Sequence, residues 1–246
     1  QDGEELSHTD FVKKLTPLLE KGVRIFVIPG NHDINMPNSL GYREGETYAV
    51  KNVKPEEFTD IYADCGYKDA LKRDANSLSY VAELNNSTWL LAIDSNRYKE
   101  YTNRTVSGGK ISTETEDWIK LVLEEARQKD IGVIGMMHHG LVEHIMMQAS
   151  FFPEYLVEDR IRLANMFADY GMKVIFTGHF HANDITEFTS IEGNKIYDIE
   201  TGSLSAYAFP YRFAELDKGG IKITTKNITS TPSSPQLSIE NKAVME

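Results

Sequence analysis

Five of the seven histidines lie in three short motifs: Gly30-Asn31-His32-Asp33, His138-His139-Gly140 and Gly178-His179-Phe180-His181. Imidazole nitrogens and a carboxamide oxygen together suit a divalent transition metal such as Zn, Mn or Fe. Taken singly, each motif has an ordinary structural explanation. A histidine beside an apolar run is commonly just hydrogen-bonded in place, and Asn-His after Pro29-Gly30 fits a turn. What the three share is position. Each follows directly on a short, apolar, strand-like run, and a side chain at a strand end is held rigidly enough to act as a ligand. Sheets of α/β proteins also bind ligands there, in the crevice beyond the carboxyl ends of their strands.

Those runs are residues 23–28, 131–137 and 172–177. Each is preceded by a stretch with helical spacing of apolar residues. The first opens at Ser7 and stops at Gly22, with Phe11, Val12, Leu15, Leu18 and Leu19 on one face; the others are 113–129 and 155–170. A Ser, Thr or Asp before such a stretch and a Gly after it are start and stop signals. Helices alternating with short β-branched runs predict an α/β layered fold. Residues 78–84 and 88–94 alternate in polarity and read as adjacent antiparallel strands joined at Asn85-Asn86-Ser87. From Ala182 the chain is strand-like with Gly/Asn turns, as at Glu192-Gly193-Asn194, and from 227 it turns polar and Pro/Ser-rich. The expected division is a folded region, 1–226, followed by a polar tail or linker, 227–246.

At 246 residues the chain can bury one sizeable core, and 41% hydrophobic with 26% charged residues is a globular balance. The formal charge of -11 excludes the basic surface needed to grip a nucleic-acid backbone. Any anionic substrate must therefore be drawn in locally, by metal ions or oriented donors. The single cysteine, Cys65, can form neither an internal disulfide nor a Cys-rich zinc site, and its apolar setting predicts a buried, inert thiol. No apolar run approaches the ~20 residues that span a bilayer. The chain opens on polar Gln1-Asp2-Gly3 without a basic-then-apolar leader, a start compatible with a leader removed upstream.

With Gly-Asn-His-Asp at 30–33 and Gly-His-Phe-His at 178–181, the sequence resembles the calcineurin-like metallophosphoesterases, a family that includes purple acid phosphatases and many phosphodiesterases. That family shows, in chain order, Asp-x-His, Gly-Asp, Gly-Asn-His-Asp/Glu, a lone His after a strand, and Gly-His-x-His. The last three are present here in order, between Ile25 and His181. The resemblance implies an α/β layered β-sandwich flanked by helices, and a metal-dependent phosphoric ester hydrolase acting on monoesters or diesters. Carried over residue by residue, it makes Asn31, His138 and His179 ligands of one metal and His181 a ligand of the other. His32 resembles the histidine that faces the substrate and helps the leaving group depart. Of the adjacent pair His138 is favoured, because it comes first after the strand and alternation turns His139 the other way. Asp33 reads as a turn residue supporting the motif. His8 and His144 have no counterpart and read as surface residues. Ile93-Asp94-Ser95 and Thr201-Gly202-Ser203 resemble family segments less specifically. Arg97, Tyr98 and Arg212 fall in loops, either near substrate or in surface salt bridges.

The Asp-x-His and Gly-Asp motifs are absent from the chain. The resemblance puts the Gly-Asp a few residues before Gln1, so the expectation is a domain lacking its first strands and three ligands. Such a domain could associate with a complementary chain through its incomplete sheet. The ligands that remain are all neutral, which predicts at most one weakly held metal and little or no activity. In the intact family site, two metals ~3.5–4 Å apart clamp the phosphate and lower the pKa of a bound water. The rival from another class is a non-catalytic remnant of the same fold that binds a partner. Zinc-protease and serine-hydrolase readings fail because neither His-Glu-x-x-His nor Gly-x-Ser-x-Gly occurs. Long helices argue against an all-β cupin.

Overall fold

The structure is a computed structural model that describes residues 2–217 and 220–245. In chain order it contains α1 (Glu5–Leu19), the hairpin β1 (Leu40–Arg43) and β2 (Glu46–Ala49), α2 (Pro55–Ile61), β3 (Lys72–Arg73), β4 (Tyr80–Asn85) and β5 (Thr88–Ile93). There follow α3 (Thr113–Gln128), β6 (Gly132–Met137), the short α4 (Gln148–Phe151), α5 (Arg160–Asp169), β7 (Val174–Thr177), β8 (Asp184–Thr189) and β9 (Lys195–Glu200). The last elements are β10 (Pro210–Asp217), β11 (Gly220–Asn227) and α6 (Leu237–Met245).

Seven strands form one mixed sheet in the order β3-β4-β5-β6-β7-β9-β8. Its centre, from β5 through β6 and β7 to β9, is parallel, and the outer pairs are antiparallel. The connections explain this. Helices α3 and α5 are long enough to carry the chain back for a parallel pairing, whereas the turn after β4 permits only a hairpin. Every residue of β5 is buried, as its continuous apolar sequence requires of a strand covered on both faces. Trp89, Leu91 and Ile93 point into a core shared with Ile119, Leu123 and Phe167 of α3 and α5. Leu90 and Ala92 point the other way, into a second core with Phe58, Tyr62 and Tyr80, on which Val12, Leu15 and Leu19 of α1 pack.

The hairpin β10–β11 is a separate two-stranded ladder. An apolar cavity of about 620 Å³ separates its Leu216, Ile221 and Ile223 from Val133, Val174 and Ile199 of the main sheet. Arg212 fastens the hairpin, donating to the carbonyls of Asp184 and Glu200 and to the hydroxyls of Thr201 and Thr225.

Several local expectations need correction. Residues 23–28 form no ladder with any described strand. They are held instead by the Val27 amide on the Cys65 carbonyl (3.1 Å) and by the Tyr80 hydroxyl on the Val27 carbonyl (2.9 Å). Helix α5 starts at Arg160, later than expected, because Pro153–Tyr155 is a separate 3-10 turn. On α1, Phe11 and Leu18 of the expected apolar face stay exposed. Strand β11 ends where the polar tail was expected to begin, but α6 occupies part of that stretch. Cys65 is buried as expected, and burial pushes its thiol pKa up. No described helix is long and apolar enough to cross a membrane.

Candidate metal centre

Adjacent parallel strands deliver two of the histidines. β6 stops at Met137 and β7 at Thr177, so His138 and His179 emerge side by side at the same sheet edge. The Gly178 amide donates to the His138 carbonyl at 3.1 Å, carrying the pairing one step past the strands. The two rings lie 4.5 Å apart, centroid to centroid. A turn brings the third motif. The Gly30 amide donates to Asp33 Oδ2 at 2.7 Å, closing residues 30–33, and buried Asn31 places its Oδ1 2.9 Å from His138 Nε2. Glycine at 30 lets the turn approach closely, since a Cβ there would lie 3.0 Å from Cε1 of the His138 ring.

A cavity of about 410 Å³ results, with Asn31, His32, His138, His179 and His181 all in its wall. His32 sits at the rim, its side chain 59% exposed and its Nδ1 2.7 Å from Asp2 Oδ1. His179 and His181 do not share the cavity by strand alternation. The strand has already ended, and both residues are left-handed, with φ of 69° and 62°. That region is uncommon for residues other than glycine and costs about 1–2 kcal/mol each. The turn it produces is what puts both side chains on the one cavity.

Protonation states follow from burial. Burial pushes His138 well below the usual imidazole range, and the neighbouring histidines push it further in the same direction. Burial likewise lowers His179 to about 4. Both rings are therefore neutral near pH 7, the form in which imidazole binds a metal. His179 Nε2 is buried without a hydrogen-bond partner, a condition that costs about 1–3 kcal/mol unless another group meets it. His139 differs. Its Nδ1 accepts from the Ser95 hydroxyl at 2.8 Å while its Nε2–H donates to the Ser107 carbonyl at 2.9 Å. So although nitrogens of His138, His139 and His179 lie within 4.8 Å of one another, both of those on His139 are already engaged.

Two readings are overturned here. His8 is fully buried, its ring bridging the Tyr62 hydroxyl (2.9 Å) and the Asp33 carbonyl (3.0 Å) beneath the 30–33 turn. The His144 side chain is fully buried too, among the carboxylates of Asp184, Asp198 and Glu200. Arg97 pairs with Glu100 and Glu158, and Tyr98 donates to Asp94; neither lines the cavity. Sequence reasoning missed an aromatic wall. The Tyr155 ring lies 4.7 Å from His179 and 5.1 Å from Phe180, and Phe152 lies 5.7 Å from Phe180. The aromatic run at 151–155 was the available signal.

The depressed imidazoles make a prediction for the metal-free chain. Below about pH 6.5 the unfolded histidines take up protons, while burial delays protonation of native His179 to about 4 and of His139 to about 3. The unfolded state then binds more protons, so stability falls as the pH drops through this window. Glu200, pushed by burial to about 7, opposes the trend, as do His144, raised by its carboxylate neighbours, and Asp94, raised by burial. The melting midpoint should drop between roughly pH 6.5 and 4, and His139→Gln should flatten that slope. An unchanged slope in the variant would contradict the assignment.

The donors present suit one dication: a carboxamide oxygen and two neutral imidazoles, one with an unmet nitrogen, converge on one cavity. The family model for calcineurin-like phosphoesterases matches residues 2–183. No curated protein matches. Among solved structures, the chain is similar to a dimetal phosphatase from Danio rerio, with a TM-score of 0.56 and 13% identity over 89% of this chain and 77% of that one. That likeness concerns the fold. A putative 5'-nucleotidase from Staphylococcus aureus aligns at 8% identity and a TM-score of 0.42, over 76% of this chain and 39% of that one. The three histidine motifs, the mixed sheet that positions them and the family match agree: the chain belongs to the calcineurin-like phosphoesterase family of metal-dependent phosphoester hydrolases.

Proposed function

We propose that Asn31, His138 and His179 hold one divalent metal, with His181 serving a second position, in a phosphomonoesterase or phosphodiesterase site. One observation carries this reading: Asn31, His138 and His179 line the same cavity, with Asn31 Oδ1 2.9 Å from His138 Nε2 and the His179 Nε2 without a hydrogen-bond partner. When bound, such metals polarise the phosphoryl oxygens and lower the pKa of a bound water, so that hydroxide is available near neutral pH. The chain's own residues do the rest. The Asp33 carboxylate holds the turn that presents Asn31, and Asp2 orients His32. His32 then hands a proton to the departing oxygen. Phe152, Tyr155 and Phe180 form an apolar wall beside the site, suited to an aryl leaving group.

The proposed ligands are all neutral, and no Asp-x-His or Gly-Asp carboxylate is in the chain. Two dications held close together repel unless negative ligands offset their charge. This chain alone is therefore proposed to bind one metal weakly and to turn over slowly. Titration with Mn or Zn, together with assays on an aryl phosphate and an aryl phosphodiester, tests this. Slow, metal-dependent hydrolysis with no more than one bound metal is expected. Two tightly bound metals with rapid turnover would refute the one-metal proposal. Metal binding with no hydrolysis of either ester would favour a non-catalytic domain.

A further inference from the structure

One imidazole and two carboxylates, Asp198 and Glu200, are buried together, with the half-exposed carboxylate of Asp184 beside them. His144 Nδ1 lies 3.1 Å from Asp184 Oδ2, and its Nε2 lies 3.4 Å from Asp198 Oδ2 and 3.5 Å from Glu200 Oε2. Asp198 and Glu200 are both buried on β9, where their spacing puts them on one face. Burying an ion costs several kcal/mol, offset only by good partners. The remaining contacts of the two carboxylates show what they hold.

Asp198 Oδ2 accepts the amides of Leu141 (2.7 Å) and Val142 (3.1 Å), in the segment that follows His138. Its Oδ1 accepts the hydroxyl of Thr177, two residues before His179. Glu200 Oε1 accepts the amide of Ala182 (3.2 Å), immediately after His181. The Thr201 amide, next to Glu200, donates to the Thr177 carbonyl at 3.2 Å. One cluster therefore grips the chain beyond His138 and on both sides of the His179–His181 turn, where the backbone is in the left-handed region.

We propose that the His144–Asp198–Glu200 cluster is a positioning unit for the metal centre, fixing the His138 segment and the His179–His181 turn relative to each other. The inference rests on the reading of the cavity as a metal site. His144 is the cation that lets the carboxylates stay buried. Burial alone would depress its pKa, but Asp198, and then Asp184 and Glu200, outweigh that and raise it. Without His144, Asp198 and Glu200, the latter already pushed by burial to about 7, lose their cationic partner in a dry site. They regain water most readily by releasing the amides of Leu141, Val142 and Ala182, which frees both histidine segments. Groups that orient metal ligands in this way typically change metal affinity by about 10–100-fold.

The test uses the full chain with His144→Phe, which keeps bulk and removes charge. Amide hydrogen exchange is followed at Leu141, Val142 and Ala182, with Leu90 and Ala92 of β5 as internal references, and Co²⁺ affinity is measured by absorption. The expected result is at least about tenfold faster exchange at the three amides, no comparable change in β5, and Co²⁺ binding weakened about 10–100-fold. Asp198→Asn, nearly isosteric, should give the same selective pattern if the first variant does not fold. Exchange unchanged at the three amides, or raised only in step with β5, would overturn the proposal, as would Co²⁺ bound at His144 itself. Absence of Co²⁺ binding by the unaltered chain would instead sink the metal reading on which it rests.

Discussion

Replacing His179 with alanine is expected to weaken divalent-metal binding by more than the ~100-fold typical of removing a supporting group, and to bring hydrolysis to background. The buried Nε2 of His179 has no hydrogen-bond partner, so removing it deletes a proposed ligand and disturbs no hydrogen bond at that atom. The residue sits on a turn past the end of β7, and the sheet beneath should remain folded. His139→Ala supplies the contrast. It removes two hydrogen bonds from a fully buried ring and leaves a cavity, so stability should fall by about 2–5 kcal/mol. Metal affinity should suffer less than in the His179 variant. Calorimetric titration with Zn²⁺ and thermal melts of both variants separate ligand from support. A His179→Ala chain that binds metal like the parent would show the assignment to be wrong.

His32→Ala is expected to lower turnover about 10²–10⁴-fold on esters with poor leaving groups, the usual range for a lost general acid. The loss should be much smaller on activated aryl esters, whose leaving oxygens depart without a proton. Metal content should not change, because the His32 ring stands at the rim with its Nδ1 on Asp2, clear of the Asn31–His138 pair. The comparison belongs in a form of the protein that turns over measurably, with metal content determined in the same samples. Metal lost together with activity would make His32 a ligand.

How far the sequence reaches depends on whether the cause is local. The turn at 85–87, the strands 131–137 and 172–177 and the helix at 113–129 were legible because periodicity and stop signals act over a few residues. The meeting of His138, His179 and His181 was legible from one topological fact, that they follow parallel strands ending at the same sheet edge; Asn31 reaches it from a run that pairs with no strand. His144 was not. Its partner Asp184 lies 40 residues onward, and nothing near 144 in the sequence announces a buried acidic cluster. His8 was misread for the same reason, since its two hydrogen-bond partners lie 54 and 25 residues away. Run 23–28 has the composition of a strand, but pairing depends on which backbone lies beside it, and composition does not specify that. The left-handed backbone at His179 and His181 was equally hidden, because residues with Cβ atoms give no such signal.

Anomalous diffraction from crystals of the chain soaked in Mn²⁺ or Zn²⁺ tests the central proposal most directly. The expected result is a peak among Asn31 Oδ1, His138 and His179, with ligand distances of about 2.0–2.2 Å and with His181 facing the adjoining space. No peak there at saturating metal, or a single peak elsewhere such as among His144, Asp198 and Glu200, would contradict it.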